Sequence, residues 1–389
     1  MADQIVTPGT LAIYVHWPFC HSLCPYCDFN SHISENVDHA RWRTALLSEL
    51  EHYAEIASPR RITSIFFGGG TPSLMAPDTT AAVIEAVAHR FTLDEDAEIT
   101  LEANPTSVEA DHLAAFADAG VNRVSLGIQA LNNDVLAFLG RTHSAEEAIT
   151  SIGVAADTFE RFSFDLIYAR PGQPVETWRR ELKRAIGLAR GHISVYQLTI
   201  EQGTPFYRAH ARGDLDLPGD AVSAALFETT QKVLADAGMP AYEISNHAAP
   251  GQACRHNLAY WQYGDYAGLG PGAHGRLTIA GKIHATRQHS APEVWLHRVE
   301  DHGHATQTQE PLDTQSVISE LAVMGLRLSD GINAANFRTR AGVPIDKAIE
   351  PAAFQRLYDG GFIVHDSDGL RATPAGRQRL DAVIAALFG

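Results

Sequence analysis

A chain of 389 residues with 45% hydrophobic and 20% charged residues is long enough for one large domain and a smaller one, and is neither disordered nor fibrous. Its 46 Asp and Glu against 30 Lys and Arg leave a formal net charge of −16, which disfavours a nucleic-acid backbone or an anionic membrane as partner. The opening "MADQIVTPGT" lacks the basic start and apolar core of a leader, and no apolar run of about 18 residues occurs, so a cytoplasmic protein is expected.

In chain order, six short apolar runs read as strands: "AIYV" from Ala12, "SIFF" from Ser64, "EITLE" from Glu98, "RVSLGI" from Arg123, "FSFDLI" from Phe162 and "ISVYQL" from Ile193. Helical periodicity separates them. Trp42, Leu46, Leu50, Tyr53 and Ala57 recur every three to four residues, as do Ile84, Val87 and Phe91 in a stretch opened by Pro77. Ser107 is placed to cap the next helix and Gly120 to end it, with Leu113, Phe116 and Ala117 facing inward. Strands that are apolar without alternation predict burial on both faces, hence a parallel sheet covered by helices. The fold expected is α/β, a partial (β/α)6 barrel over residues 1–240.

Beyond Asp220 the alternation fades. One more helix, Ser223 to Ala237, precedes a connecting region over 241–310 that holds eight of the 19 histidines between His247 and His304. Residues 311–389 turn mainly helical, with "TQSVISELAVMGLRL", then "AAFQRLY", a hairpin "FIVHDSDGLRA" with Asp-Gly at its turn, and a last helix from Pro374. This order resembles a winged-helix module. Residues 301–389 carry 8 Lys/Arg and 11 Asp/Glu, so packing or partner docking is expected of it rather than DNA reading.

Three of the four cysteines lie in "YVHWPFCHSLCPYCDFN", as Cys20, Cys24 and Cys27 at CxxxCxxC spacing, with Phe29 where a fourth might stand. Four cysteines are too few for a disulfide scaffold in so long a chain, and close clustering points to metal. Zinc is one reading, with His16, His21 or His32 completing Cys₃His, although zinc ligands usually come in two separated pairs. The other is an iron–sulfur cluster, in which three thiolates leave one iron of a [4Fe-4S] cubane open to a small molecule. The loop also follows the first strand, at the mouth where parallel barrels place their chemistry.

CxxxCxxC after a first barrel strand, with Tyr26 before the third cysteine, resembles the radical S-adenosylmethionine (SAM) family, in which the open iron is chelated by SAM. "FFGGGTP" follows the second strand, and its Gly69 and Gly70 let backbone approach a ligand. Glu102, Gln129, Arg141 and Asp165 stand at or after the ends of later strands. Jointly with Tyr14 and Thr71 they resemble the SAM-binding set of the HemN/HemW group, related to oxygen-independent coproporphyrinogen III oxidase. Carboxylates and amides suit the ammonium and ribose hydroxyls, and Arg141 a carboxylate.

The resemblance covers the chain from about Leu11 onward. HemN-type enzymes carry CxxxCxxCxC and an N-terminal extension, whereas this chain has Phe29 at the last cysteine and reaches Tyr14 almost at once, as HemW-type haem chaperones do. "HNLAYW", His256 to Trp261, matches a motif whose histidine is taken to ligate haem, with Tyr260 and Trp261 beside the macrocycle. The plain alternative is a core histidine with two packing aromatics. Cys254 reads as a small buried residue, with a thiolate beside haem as the alternative, and "GLGPGAHG" (Gly268 to Gly275) as a loop against a ligand or a flexible turn.

The function this implies is haem binding and delivery to acceptor haemoproteins such as respiratory cytochromes, with [4Fe-4S], SAM and haem as cofactors. A homodimer and peripheral membrane association are further expectations. The alternative is a radical SAM oxidoreductase acting on a porphyrinogen.

Overall fold

The computed structural model describes residues 6–389 apart from positions 8, 35 and 58, so most of the opening stretch lies outside the described residues. All six expected strands form, the first five somewhat longer than their apolar runs and the sixth shifted by one residue: Thr10–Trp17, Arg61–Gly69, Thr92–Ala103, Arg123–Gln129, Arg161–Tyr168 and His192–Gln197. They pair in parallel in chain order, and a seventh parallel strand, Tyr266–Leu269, adds to the free side of the first. Antiparallel strands extend both ends, giving an open sheet of eleven strands among the described residues. The barrel is therefore partial, as expected. The connecting region 241–310 supplies several of these extra strands.

Helices cover one face. Leu46, Leu50 and Tyr53 of helix His39–Ala57 pack with Ile13, Val15, Ile65 and Phe67 of the strands in one buried cluster. Each such side chain contributes roughly 1.5–3 kcal/mol by leaving water. Pro77 opens helix Pro77–Arg90 as predicted. The cap of helix Ser107–Asp118 is Thr106, whose side chain accepts from Glu109 N; the side chain of Ser107 lies outside the described residues.

The concave face differs from the expectation. Ser64, Glu98, Thr100, Arg123, Ser163 and Ser194 are all buried there, so the strands alternate apolar toward the helices and polar toward the interior. Burial on both faces holds, but the inner face is built to bind polar groups.

The C-terminal module has its own core, in which Val317, Leu321, Phe337, Leu370, Val383 and Leu387 meet. Helices Thr314–Gly325, Ala334–Ala341, Pro351–Asp359 and Leu380–Phe388 surround a small three-stranded sheet, whose Ile363–His365 and Gly369–Ala372 form the predicted hairpin. The expected last helix is broken into Pro374–Arg377 and Leu380–Phe388.

Candidate functional site

The cysteine loop is clamped at both ends. Phe19–Cys20 pairs in parallel with His32–Ile33, and Asn30 Nδ2 donates to the carbonyls of Pro271 and Ser290, both at 2.9 Å. "GLGPGAHG" is thus a buttress of this loop. His16 sits beneath it, with Nε2 2.8 Å from Asn30 O and Nδ1 2.9 Å from the Tyr14 hydroxyl. Both of its ring nitrogens are occupied as scaffolding.

Cys20 is buried, Cys24 and Cys27 half-buried, and all are free thiols. Thr71 Oγ1 donates to Cys20 Sγ at 3.3 Å and Arg141 Nη1 to Cys24 Sγ at 3.4 Å, so each sulfur meets a donor suited to a thiolate. Burial pushes the Cys20 and Cys27 thiols up, and hydrogen bonds from Thr71 and from the backbone of Phe29 act against it. Among the described residues no three His, Cys, Asp or Glu side chains converge on a single metal ion. A cubane takes each thiolate on a different iron, and three cysteines lining one cavity supply that donor set.

The glycine turn is shaped by the same loop. Gly69 has φ +114°, and a Cβ there would lie 2.6 Å from the His16 ring. A Cβ on Gly70 would lie 2.8 Å from Phe19 O and 3.0 Å from Cys20 Sγ. Backbone bonds from Gly70 N to Trp17 O at 2.7 Å and from Thr71 N to Phe19 O at 2.9 Å hold the two segments together. The glycines therefore let the turn abut the cysteines, besides leaving room for a ligand.

Eleven of the thirteen predicted site residues, all but Tyr14 and His256, line one cavity of about 760 Å³, a size usual for a ligand pocket. Gln129 enters it from a left-handed backbone, φ 68°, at a register irregularity between Leu126 and Gln129. Strain of that kind is retained where a side chain must be aimed. Arg141 Nη2 reaches Asn104 Oδ1 at 2.6 Å, and Asn104 Nδ2 donates to Thr71 Oγ1 at 3.1 Å, so a chain of bonds runs from Arg141 to Cys20. Asn104 was missed in the sequence, although it stands two positions after Glu102.

Two carboxyls give the cavity its electrostatics. Burial, with Asp165 adding to it, pushes Glu102 up to about 8, while Gly69 N donates to it at 3.2 Å. Burial raises Asp165 to about 6. Two neighbouring acids whose ionisation burial opposes and Arg123 favours suit a cationic ligand.

The two remaining predicted residues lie outside this cavity, deeper in the barrel. His256, in helix Arg255–Trp261, is 1% exposed. Its Nδ1 is 2.9 Å from Ser64 Oγ and its Nε2 2.7 Å from the Tyr260 hydroxyl, and its ring stacks on Phe66 at 4.9 Å. Tyr14 lies 6.3 Å from it, ring centre to ring centre. Here His256 is a satisfied core histidine, and burial holds it neutral, down at about 3. Cys254 donates to Glu98 Oε1 at 3.1 Å and burial pushes it up to about 12, so it is a thiol rather than a thiolate. Burial alone would raise Glu98, but Arg123 and Arg161 outweigh it and hold its carboxyl below the usual range.

Among the described residues no helix is long and apolar enough to cross a membrane. The Radical SAM superfamily profile matches residues 14–185 and the HemN C-terminal domain matches residues 312–379. A Bos taurus protein, radical S-adenosyl methionine domain-containing protein 1, mitochondrial, is 39% identical over 394 residues, covering 99% of this chain and 89% of its own. Heme chaperone HemW of Escherichia coli is 35% identical over 377 residues, covering 96% of this chain and 97% of its own. In fold, the chain is similar to E. coli coproporphyrinogen III oxidase (HemN), with TM-score 0.80 and 22% identity, over 97% of this chain and 89% of that one. An open parallel half-barrel, with a thiol loop and glycine turn at its mouth and a HemN-type module behind, defines a radical SAM protein. Within that class the chain belongs to the HemW family.

Proposed function

We propose that this protein is a haem chaperone of the cytoplasm, which binds haem and passes it to acceptor haemoproteins. Cys20, Cys24 and Cys27 would hold a [4Fe-4S] cluster, and Gly69, Gly70, Thr71, Glu102, Gln129, Arg141 and Asp165, with Tyr26, would hold SAM. Tyr14 would act through His16 on the floor of the same loop. When bound, the cluster with SAM supplies one-electron chemistry. This chain's own residues do the rest: Glu102 and Asp165 take up positive charge, Arg141 anchors a carboxylate, and Thr71 steadies Cys20.

The observation that carries the reading is the convergence of eleven predicted residues on one cavity, in a chain whose near full-length relatives include proteins named heme chaperone HemW. Phe29, 64% exposed, occupies the position of the fourth cysteine of the decarboxylating enzymes. His256 would serve as haem ligand in its neutral form, the form that binds iron. To do so it must exchange its bond to Tyr260 or Ser64 for the metal, so haem binding requires helix Arg255–Trp261 to shift. Haemin titrated into the reconstituted protein should give a Soret shift that His256→Ala weakens. An unchanged titration in that variant removes His256 from the role.

A second reading, a radical SAM oxidoreductase acting on a porphyrinogen, is favoured by one observation: the polar set expected for SAM, apart from Tyr14, lines the cavity. Conversion of coproporphyrinogen III with SAM and a reductant would establish it.

A further inference from the structure

The barrel wall of the cavity carries the half-buried acids Glu102 and Asp165 beside Arg141, and the C-terminal module contributes Arg327 and Arg377. Arg327 follows helix Thr314–Gly325, and Arg377 ends the short helix Pro374–Arg377. Both come from segments whose residue pattern shows no site of its own.

The bonding of the two guanidinium groups is incomplete. Arg327 Nη2 donates to Glu243 Oε2 at 3.0 Å, and its guanidinium lies 4.6 Å from the centre of the Trp261 ring. Glu243 is already engaged by Ser245 N at 2.8 Å and Asn246 Nδ2 at 2.6 Å. Arg377 donates through Nη1 to Ser329 Oγ. Three further nitrogens, Arg327 Nε and Arg377 Nε and Nη2, are buried without any hydrogen-bond partner. A guanidinium nitrogen can only donate, and buried donors in native proteins are rarely left unmet.

The charge is incomplete in the same place. Arg327 is paired with one carboxylate, Glu243, whose charge also acts on Arg377, while the cavity-lining acids Asp381 and Glu201 are exposed. The planar fork of arginine matches the two oxygens of a carboxylate. Trp261 closes the helix that carries His256, so an acid gripped by this pair would lie against that helix.

We propose that Arg327 and Arg377 form a carboxylate subsite, gripping an acidic side arm of the ligand that enters the cavity. Resting on the chaperone reading, the inference assigns this arm to a propionate of haem. The methionine carboxylate of SAM is the other source of the same chemistry, and Arg141 on the opposite side is left to take it.

The test compares haemin with haemin dimethyl ester, in which both propionates are masked, on the full-length, cluster-loaded protein. Wild type is expected to bind haemin roughly tenfold tighter than the ester, about what one charge-assisted pair gives. Arg377→Gln and Arg327→Gln are expected to lose that preference, and Arg377→Lys, which keeps the charge without the fork, to retain part of it. Equal binding of haemin and ester by wild type overturns the subsite without recourse to any variant. A preference that survives both substitutions, or a loss of SAM affinity in place of haemin affinity, also overturns it and leaves the chaperone reading standing. No haemin binding by wild type removes both together.

Discussion

Glu102→Gln should make the cluster-free protein more stable and at the same time poorer at binding SAM. Glu102 is half-buried in the cavity wall, and desolvation of its carboxyl raises it from 4.5 to about 8. Below pH 4.5 the carboxyl is protonated in both the folded and the unfolded chain, and the charge has no effect. As pH rises from there, the unfolded chain gives up its proton while the folded one keeps it, so stability falls by about 1.4 kcal/mol per unit. By pH 8 the loss reaches roughly 5 kcal/mol, an order-of-magnitude figure that glutamine removes while still accepting from Gly69 N. Urea denaturation of wild type and variant from pH 4.5 to 8.5 should show equal stability at the acid end and a gap of several kcal/mol at the alkaline end. Calorimetry on the loaded protein should show SAM binding weakened in the variant. A variant less stable than wild type at pH 8, or a gap independent of pH, would refute the assignment of Glu102 as a carboxylate held ready for a cation.

Other substitutions probe the remaining supports. Gly70→Ala puts a Cβ 2.8 Å from Phe19 O, so the Phe19–Cys20 strand must move, and anaerobic reconstitution should yield clearly less iron and sulfide per chain than wild type. Glu98→Ala strips the counter-charge from Arg123, itself buried, and should cost about 3–5 kcal/mol in denaturant titrations. SAM affinity should climb with pH between about 6 and 8, because a cation binds the ionised forms of Asp165 and Glu102 and releases their protons; a flat profile counts against that pair.

Strands and cluster ligands were legible because their signals are local. Six apolar runs found six parallel strands, and Cys20, Cys24, Cys27 and the Gly69–Thr71 turn fell on the mouth of the barrel. What escaped was non-local. Nothing in "DYAGLG" announces that Tyr266–Leu269 pairs beside the first strand, some 250 positions earlier. The polar inner face was hidden because Ser64, Thr100 and Ser163 are small, and Thr100 and Ser163 sit between strong apolar neighbours on their strands. Asn30 and Asn104 carry the support of the cysteine loop, yet as single amides in loops they resemble ordinary turn residues. "HNLAYW" was found, but its environment was not: the partners that satisfy His256 include Ser64, on a strand 192 residues away.

The most direct measurement takes one anaerobically reconstituted sample and runs two assays on it. Haemin is titrated and then offered to an apo-haemoprotein, and coproporphyrinogen III is incubated with SAM and a reductant. Haemin binding followed by transfer, with the porphyrinogen left unchanged, is the predicted result. Porphyrinogen converted without any haemin bound would contradict it.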